Sequence, residues 1–393
     1  MNEDKATRYH RLRRRALLMA AGWRAILLAF LLASGLAHAL RDAFALALGP
    51  APASLHLPLT VLALAAVIAV VHALGALPMH FFAGFTLEWR YGLSRQPAAA
   101  WLRDYGRAAA IDLAFSAAAA AWMYVWLAAV PGRWWIPAWV GFVAAGIVTA
   151  WAAPVMLLPL FFRFAPLADG PLRNRLLALA ARAGVPALGV FEWRTSDRTS
   201  RANAALTGIG RTRRIILSDT LLSDYKPDEV EAVLAHEVAH HVNRDIWKGL
   251  AVDALVGLGA LLAADAALRS AIGPAGLHGL SDPAGLPVAG LAMTAVAWAA
   301  LPLQHAVSRA HERRADRAAL DLTRNVEAFV SAMRRLGARN LAEPSPSLLT
   351  RLLFHTHPPV DERIASAADW ASAQTRRGDG GQPATADVRG GAA

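Results

Sequence analysis

The chain has 393 residues, of which 56% are hydrophobic and 18% charged, and its 40 Lys and Arg against 29 Asp and Glu give a net charge of +11. The apolar residues come in blocks of about 20 rather than in amphipathic stripes, which excludes a simple soluble globule. The chain contains no cysteine, so disulfides, thiolate metal ligands, cysteine nucleophiles and iron–sulfur clusters are also excluded.

Six apolar segments are long enough to cross about 30 Å of hydrocarbon as helices. The first follows a basic stretch and resembles a signal peptide, but it is long and further spans follow it, so we predict that it is retained. Arg24 either snorkels to the membrane surface or shortens this span so that it begins at Trp23. The predicted spans are 23–40, 57–79, 108–130, 136–162, 250–271 and 286–307.

The basic residues of the connections predict the orientation of these spans. Segment 80–107 contains four arginines, whereas 41–56 and 131–135 contain one each and 272–285 contains none. By the positive-inside rule, both termini and the segment 163–249 are cytoplasmic. The positive charge is thereby explained by topology. The chain is rich in Ala and Arg, which favours a bacterial inner membrane over the endoplasmic reticulum. No separate basic module or aromatic platform supports a nucleic-acid partner.

The predicted fold is mainly α, a polytopic membrane protein with a cytoplasmic domain that carries a small β-sheet. We predict an N-terminal membrane domain with four spans at residues 1–162 and a second domain, interrupted by two spans, at residues 163–370. Residues 371–393 are rich in Arg, Gly and Ala without periodicity, which predicts a disordered tail. Within 163–249, we predict strands at 190–193, 204–210 and 213–218 and helices at 172–183 and 230–243.

The strongest chemical signal is a His-Glu-x-x-His motif formed by His236, Glu237 and His240. On a helix the two histidines lie one turn apart on one face, so both imidazoles can bind a single Zn²⁺. Glu237 lies beside that face, where its carboxylate can accept a proton from the attacking water. The alternative is a polar helix end near the membrane surface. His241 points about 100° away from His240, which favours a packing or supporting role.

A catalytic zinc ion needs at least one more protein ligand, and without cysteine the candidates are His, Asp and Glu. Glu312 and Asp316 lie one helical turn apart directly after the last predicted span. Glu312 could bind the metal while Asp316 holds a ligand imidazole in the required tautomer. The alternative is a solvated helix face on which these acids pair with neighbouring arginines. The predicted topology brings this segment and the His-Glu-x-x-His motif to the same membrane surface.

Together these motifs resemble the integral-membrane CAAX prenyl protease type 1 family of zinc metalloendopeptidases, which share a catalytic domain with the bacterial membrane heat-shock metallopeptidases. The resemblance implies that Glu312, the first residue of a Glu-x-x-x-Asp motif, is the third zinc ligand. It also implies a proton-donor role for Asp316, beside the orienting role described above. Six spans are one fewer than in the eukaryotic enzymes. Further similar segments are 85–96, 164–170, 203–208, 214–221 and 357–363.

Three other residues are candidates for the site. Asn203 either binds the substrate backbone at an edge strand or caps a turn. His357 lies in a His-Pro-Pro segment that resembles one near the family's active site, where it would stabilise the oxyanion; the alternative is a surface histidine. Arg363 orients substrate, braces the zinc site or forms a surface salt bridge.

The sequence therefore predicts that residues 163–370 form a zincin-like zinc metallopeptidase domain, and that the protein is a zinc-dependent endopeptidase with one Zn²⁺ per chain. It would hydrolyse peptide or membrane-protein substrates at the cytoplasmic surface of the lipid bilayer, including CAAX-type or lipid-anchored ones. The alternatives are a general quality-control protease for membrane proteins and a non-catalytic membrane scaffold stabilised by zinc. The sequence predicts no particular oligomeric state.

Overall fold

The structure, a computed structural model, describes residues 4–49, 52–208 and 213–379. Most of these residues are helical, and the helices surround one small sheet. This confirms the predicted mainly α fold with its six spans. The six helices long and apolar enough to cross a membrane are Lys5–Ala33, Ser54–Arg90, Ala98–Ala129, Trp135–Ala152, Asp245–Ala271 and Pro283–Thr323.

The N-terminal half is built from helices alone. Two π-helical turns, Phe82–Thr86 and Ala153–Leu157, each continue a long helix into a final short one. The helices are α1 (Lys5–Ala33), α2 (Leu36–Leu48), α3 (Ala53–Phe81), α4 (Leu87–Arg90), α5 (Ala98–Ala129), α6 (Trp135–Ala152) and α7 (Leu158–Phe161).

The first span differs from its prediction at both ends. Helix α1 already begins at Lys5, so the basic N-terminal stretch is helical, and it ends at Ala33 rather than at residue 40. The chain breaks there because Gly35 adopts a φ of 72°, a left-handed conformation that a residue without a Cβ reaches at little cost. Residues 36–40 therefore belong to α2, a separate helix of 13 residues that is too short to span a bilayer.

The sheet has four strands in the order β1-β2-β4-β3: β1 (Arg163–Pro166), β2 (Val190–Arg194), β3 (Ala204–Thr207) and β4 (Arg214–Ser218). β2 and β4 are parallel, while the two outer strands pair antiparallel to their neighbours. Strand β1 was not predicted. Strand β3 ends at Thr207 instead of residue 210, and residues 209–212 lie outside the described residues. Because β3 pairs only with β4 in this sheet, it is an edge strand.

The C-terminal half contains the remaining helices. The last predicted span is only the first part of α12, which continues without a break to Thr323 and so carries Glu312 and Asp316. Helix α15 runs to Asp379, so residues 371–379 are helical and not part of a disordered tail; residues 380–393 lie outside the described residues. The helices are α8 (Pro171–Arg182), α9 (Asp219–Asp224), α10 (Pro227–Val242), α11 (Asp245–Ala271), α12 (Leu286–Thr323), α13 (Val326–Arg339), α14 (Leu348–Phe354) and α15 (Val360–Asp379).

Two hydrophobic cores hold these elements together. One joins the apolar helices and includes Leu31, Tyr124 and Leu261. The other lies between the sheet and helices α8, α10 and α13, and includes Leu234 and Phe329. Helix α10 is buried along nearly its whole length, so its polar residues lie inside the protein rather than on a solvated surface.

Candidate active site

Helix α10 carries the His-Glu-x-x-His motif and is fixed at both ends. Pro227 occupies its first turn, and the Glu229 side chain accepts a hydrogen bond of 2.8 Å from the backbone N–H of Lys226. At its other end Arg244 adopts a φ of 55° and turns the chain directly into α11. Leu234 is fully buried in the core, which fixes the rotation of the helix and hence the direction of its histidines.

Three side chains from two helices converge at the centre of the site. The Nε2 atoms of His236 and His240 are 3.2 Å apart on one face of α10. Glu312, on α12, places Oε2 3.3 Å from His236 Nε2 and Oε1 3.4 Å from His240 Nε2. One potential ligand atom from each residue lies within 4.8 Å of the others. The structure thus brings together the three residues predicted to bind the metal.

A second carboxylate holds each imidazole from its other side. Asp316 Oδ1 lies 2.8 Å from His236 Nδ1, and Asp245 Oδ2 lies 3.0 Å from His240 Nδ1. A carboxylate accepts a hydrogen bond from Nδ1–H and so favours the tautomer whose Nε2 carries a lone pair. Both lone pairs then point towards Glu312, as metal ligation requires.

This arrangement fits a divalent cation. The two Nε2 atoms, 3.2 Å apart, would repel each other unless one carries a proton or a cation lies between them, and Glu312 Oε2 is buried with no hydrogen-bond partner among the described residues. A cation bound between the three side chains would satisfy all of them. Burial lowers the pKa of His236, but the Asp316 and Glu312 carboxylates outweigh this effect and raise it to about 9. The field that attracts a proton also attracts a metal ion.

Glu237 borders the same site. Its half-buried side chain lines a cavity of about 360 Å³, together with His236 and Glu312. Burial raises the pKa of Glu237 above its ordinary value. A general base works best when its pKa lies closer to the working pH than that of an exposed carboxylate does. Its placement therefore suits proton transfer beside the metal ligands.

Asn203 lies directly before edge strand β3 and lines the same cavity as Glu237. Its backbone pairs with Ser218 of β4: its N–H donates to Ser218 Oγ, and its C=O accepts from the Ser218 N–H, both at 2.9 Å. Its side chain is exposed. The structure thus fixes the backbone of Asn203 and leaves its amide available to a ligand in the cavity.

The two candidates near the C-terminus occupy different positions. His357 is 62% exposed at the rim of the cavity, with Nε2 3.3 Å from Glu312 Oε1. Partial desolvation at this rim lowers the pKa of its imidazole, which favours the neutral form. Arg363, in contrast, has only 12% of its side chain exposed and binds both oxygens of Asp316, at 2.8 and 2.6 Å. Its guanidinium is therefore engaged in holding the carboxylate that orients His236.

Sequence reasoning missed Asp245. This residue begins α11 and contacts His240 as Asp316 contacts His236, while Lys248 and Arg314 each lie 3.4 Å from its other oxygen. An available signal was an acidic residue five positions after His240. This signal has meaning only together with the left-handed turn at Arg244, which folds the chain back beside the motif.

His241 was predicted to have a packing or supporting role. The structure places its Nε2 atom 2.6 Å from the carbonyl oxygen of Leu206 in β3.

Comparison with known proteins agrees with this geometry. The chain matches Peptidase family M48 over residues 166–371, which contain every metal-ligand candidate. The chain belongs to this family. Residues 2–163 match the CAAX prenyl protease N-terminal domain, described as five membrane helices.

Individual proteins related to this family are also similar to this chain. A metalloprotease from Bacillus subtilis named YhfN is 30% identical over 77% of this chain and 71% of its own length. CAAX prenyl protease 1 of Saccharomyces cerevisiae is 32% identical over 42% of this chain, although the match spans only 36% of that protein. The crystal structure of S. mikatae Ste24p has the same fold, with a TM-score of 0.77 and 22% identity over 92% of this chain and 87% of that one. The protein is therefore a membrane metallopeptidase of family M48, a hydrolase that acts on peptide bonds.

Asp245→Asn should weaken metal binding by about tenfold to 100-fold, because the amide no longer supplies a negative charge to hold His240 Nδ1–H. Titration of the metal-loaded protein with a competing chelator measures this change. Asp228→Asn is a suitable control, because Asp228 begins α10 but pairs with Arg175 away from the site. Equal metal affinity in Asp245→Asn and the unaltered protein would contradict an orienting role.

Proposed function

We infer that the protein is a zinc-dependent endopeptidase that cleaves peptides at the cytoplasmic membrane surface. The observation that carries this proposal is the His236, His240 and Glu312 cluster beside Glu237 in one cavity. Two imidazoles and one carboxylate are a common ligand set of catalytic zinc, and three protein ligands leave a fourth position open. A structural zinc site is usually closed by four protein ligands, which speaks against a scaffold role.

Zinc bound here would act as a Lewis acid, lowering the pKa of a water molecule and polarising the scissile carbonyl. Glu237 would accept the proton of the attacking water and pass it to the leaving amine. His357, at the rim of the cavity, would donate a hydrogen bond to the oxyanion that develops on the carbonyl oxygen. Glu237 and His357 line the same cavity, so proton transfer and charge stabilisation would act on one bound peptide.

Asp316 and Arg363 would act through His236. Both Asp316 oxygens bind Arg363, and one of them also binds His236 Nδ1. Because these contacts already engage both oxygens of Asp316, they favour its orienting role over a role as proton donor. Arg363 correspondingly braces the metal site, and its contribution to substrate binding would come from its place in the cavity wall.

The substrate would bind along edge strand β3. The hydrogen bonds of Asn203 to Ser218 point towards β4, so alternation turns the backbone groups of Ala204 and Leu206 away from β4, to the outer edge. His241 occupies the Leu206 carbonyl, which leaves the Asn203 end of the strand open to a peptide. Strand addition gives affinity through the main chain, while the cavity next to Glu237 selects side chains.

The relatives named CAAX prenyl proteases, together with the matching N-terminal domain, support a CAAX-type or lipid-anchored substrate. The arginine-rich connection 80–107 supports a cytoplasmic site. The similarity to the Bacillus subtilis metalloprotease supports a bacterial inner membrane rather than the endoplasmic reticulum.

Glu237→Gln should leave zinc bound while cleavage falls by at least about 100-fold, because the amide cannot accept the proton of the attacking water. Glu312→Ala, in comparison, should lose both zinc and activity. Peptide cleavage followed by mass spectrometry and metal analysis of the purified variants measure both effects. Full proteolysis by Glu237→Gln would refute its role as the base, and unchanged zinc content in Glu312→Ala would refute ligation.

A farnesylated CAAX peptide should be cleaved faster than a misfolded membrane protein, because a lipid anchor concentrates the peptide at the membrane surface where the site lies. Mass spectrometry of both digests with the same purified protein makes the comparison. Preferential cleavage of the misfolded protein would instead favour general quality control.

Reporter fusions at residues 45 and 95 should report opposite sides of the membrane, with residue 95 in the cytoplasm, because its connection contains four arginines. Cytoplasmic and periplasmic reporters fused at each position in a bacterial host provide the readout. Two fusions on the same side would overturn the proposed topology.

A further inference from the structure

A hydrogen-bonded cluster connects the N-terminal helices to the segment directly before β3. It consists of Tyr9 on α1, Glu88 on α4 and Arg201, and is called the interdomain cluster below. The Tyr9 hydroxyl donates a hydrogen bond to Glu88 Oε1. Arg201 Nη2 lies 2.9 Å from both Glu88 carboxylate oxygens and 2.8 Å from the Tyr9 oxygen.

This cluster differs from an exposed ion pair. Tyr9 is fully buried, and only 13% of the Glu88 side chain is exposed. Exposed pairs contribute little to stability, but loss of one partner from a buried pair leaves an uncompensated charge in a poorly solvated place. The cluster therefore fixes the position of Arg201 relative to α1 and α4.

A short chain of hydrogen bonds leads from Arg201 to Asn203. The Arg201 carbonyl oxygen accepts from Thr220 Oγ1 at 2.7 Å, and Thr220 Oγ1 lies 2.9 Å from Ser218 Oγ. Ser218 then holds both backbone groups of Asn203, as described above. Hydrogen bonds thus hold the backbone of Arg201 and of Asn203, and Ala202 between them is buried.

The residues before Arg201 are held from two sides as well. Leu93 accepts hydrogen bonds through its carbonyl oxygen from Ser200 N–H at 3.1 Å and from Thr199 Oγ1 at 2.8 Å. From the opposite side, Arg339 of α13 donates to the Ser200 carbonyl oxygen at 2.5 Å. The segment is therefore wedged between the N-terminal half and the catalytic core.

We propose that the interdomain cluster positions Asn203, directly before the open end of β3, for substrate binding. This inference rests on the proposed function, in which Asn203 and β3 bind the peptide. Tyr9, Glu88 and Arg201 would be positioning residues that act through Asn203. The metal ligands lie on α10 and α12. None of the hydrogen bonds described above joins the cluster to these two helices. Substrate binding should therefore depend on the cluster, while metal binding should not.

Glu88→Gln tests the proposal, since it keeps the size of the side chain and removes its charge. We expect kcat/KM for a peptide substrate to fall by about tenfold to 100-fold, mainly through KM, with zinc content unchanged. Arg201→Gln should behave alike, whereas Arg201→Lys, which keeps the charge, should recover part of the loss. A wild-type KM in Glu88→Gln, or a parallel loss of zinc, would overturn the proposal. If Glu88→Gln does not fold, Tyr9→Phe removes the two hydrogen bonds of the Tyr9 hydroxyl, to Glu88 and from Arg201, without changing the charge. It should raise KM by a smaller factor, and a wild-type KM there would also overturn the proposal.

Asp104→Asn is the matched control. Asp104 on α5 pairs with Arg198 at 2.8 Å, so this variant also breaks an ion pair between the two halves, but one that does not reach residues 201–203. We expect a wild-type KM. A rise in KM equal to that of Glu88→Gln would mean that any loosening between the halves has this effect, and the positioning role would be refuted.

Asn203→Ala separates this proposal from the proposed function. If Asn203→Ala itself leaves KM unchanged, the substrate role of Asn203 fails, and the inference fails with it. If Asn203→Ala raises KM while Glu88→Gln does not, the inference alone fails. Because the cluster would act through Asn203, adding Glu88→Gln to Asn203→Ala should change KM little further, whereas additive effects would contradict the proposal.

Discussion

The concentration of buried negative charge around two histidines is the constraint on which the site depends. The carboxylates of Glu237, Asp245, Glu312 and Asp316 surround His236 and His240, and Arg363 is the guanidinium buried among them. Removing carboxylates from water costs several kcal/mol each unless opposite charges and hydrogen bonds compensate. A divalent cation bound by the imidazoles supplies such a charge. The site is thus built so that its stability and its chemistry need the same ion.

Because α12 is one continuous helix, the arrangement of the site also depends on the membrane-spanning part of the fold. Glu312 reaches the histidines only because the helix of the last span continues past the predicted membrane boundary to Thr323. The same helix carries Arg309, a buried residue whose guanidinium donates to the backbone oxygens of Arg351 and His355 at 2.9 and 2.7 Å. These bonds hold the segment that leads to His357. One rigid element therefore sets both the position of Glu312 and the rim of the cavity.

How far the sequence could predict the structure depended on the range of each interaction. The six spans follow from hydropathy within single elements, and their number is confirmed. The spacing of His236 and His240 within one helix predicts that they share one face, and the structure places their Nε2 atoms 3.2 Å apart. Glu312 needed the family resemblance, because its spacing alone fitted a solvated helix face equally well. The contact between Asp245 and His240 depends on the turn at Arg244, a non-glycine residue with a positive φ. Glu88 and Arg201 pair although more than a hundred residues separate them in the sequence. No local sequence pattern predicts either contact. The break at Gly35 and the helical residues 371–379 lie where hydropathy and periodicity give weak signals.

The catalytic cavity is itself a product of both halves of the chain. His10 of α1 lines it beside residues of α10, α12 and α15, and contacts the Leu341 carbonyl oxygen through Nε2 at 2.7 Å. Arg14, one turn further along α1, pairs with Glu343, a buried residue that also lines the cavity. An N-terminal helix that served only as a membrane anchor would have no need of these contacts. The first helix therefore forms part of the cavity wall, and the membrane helices shape the peptidase site as well as holding it at the bilayer.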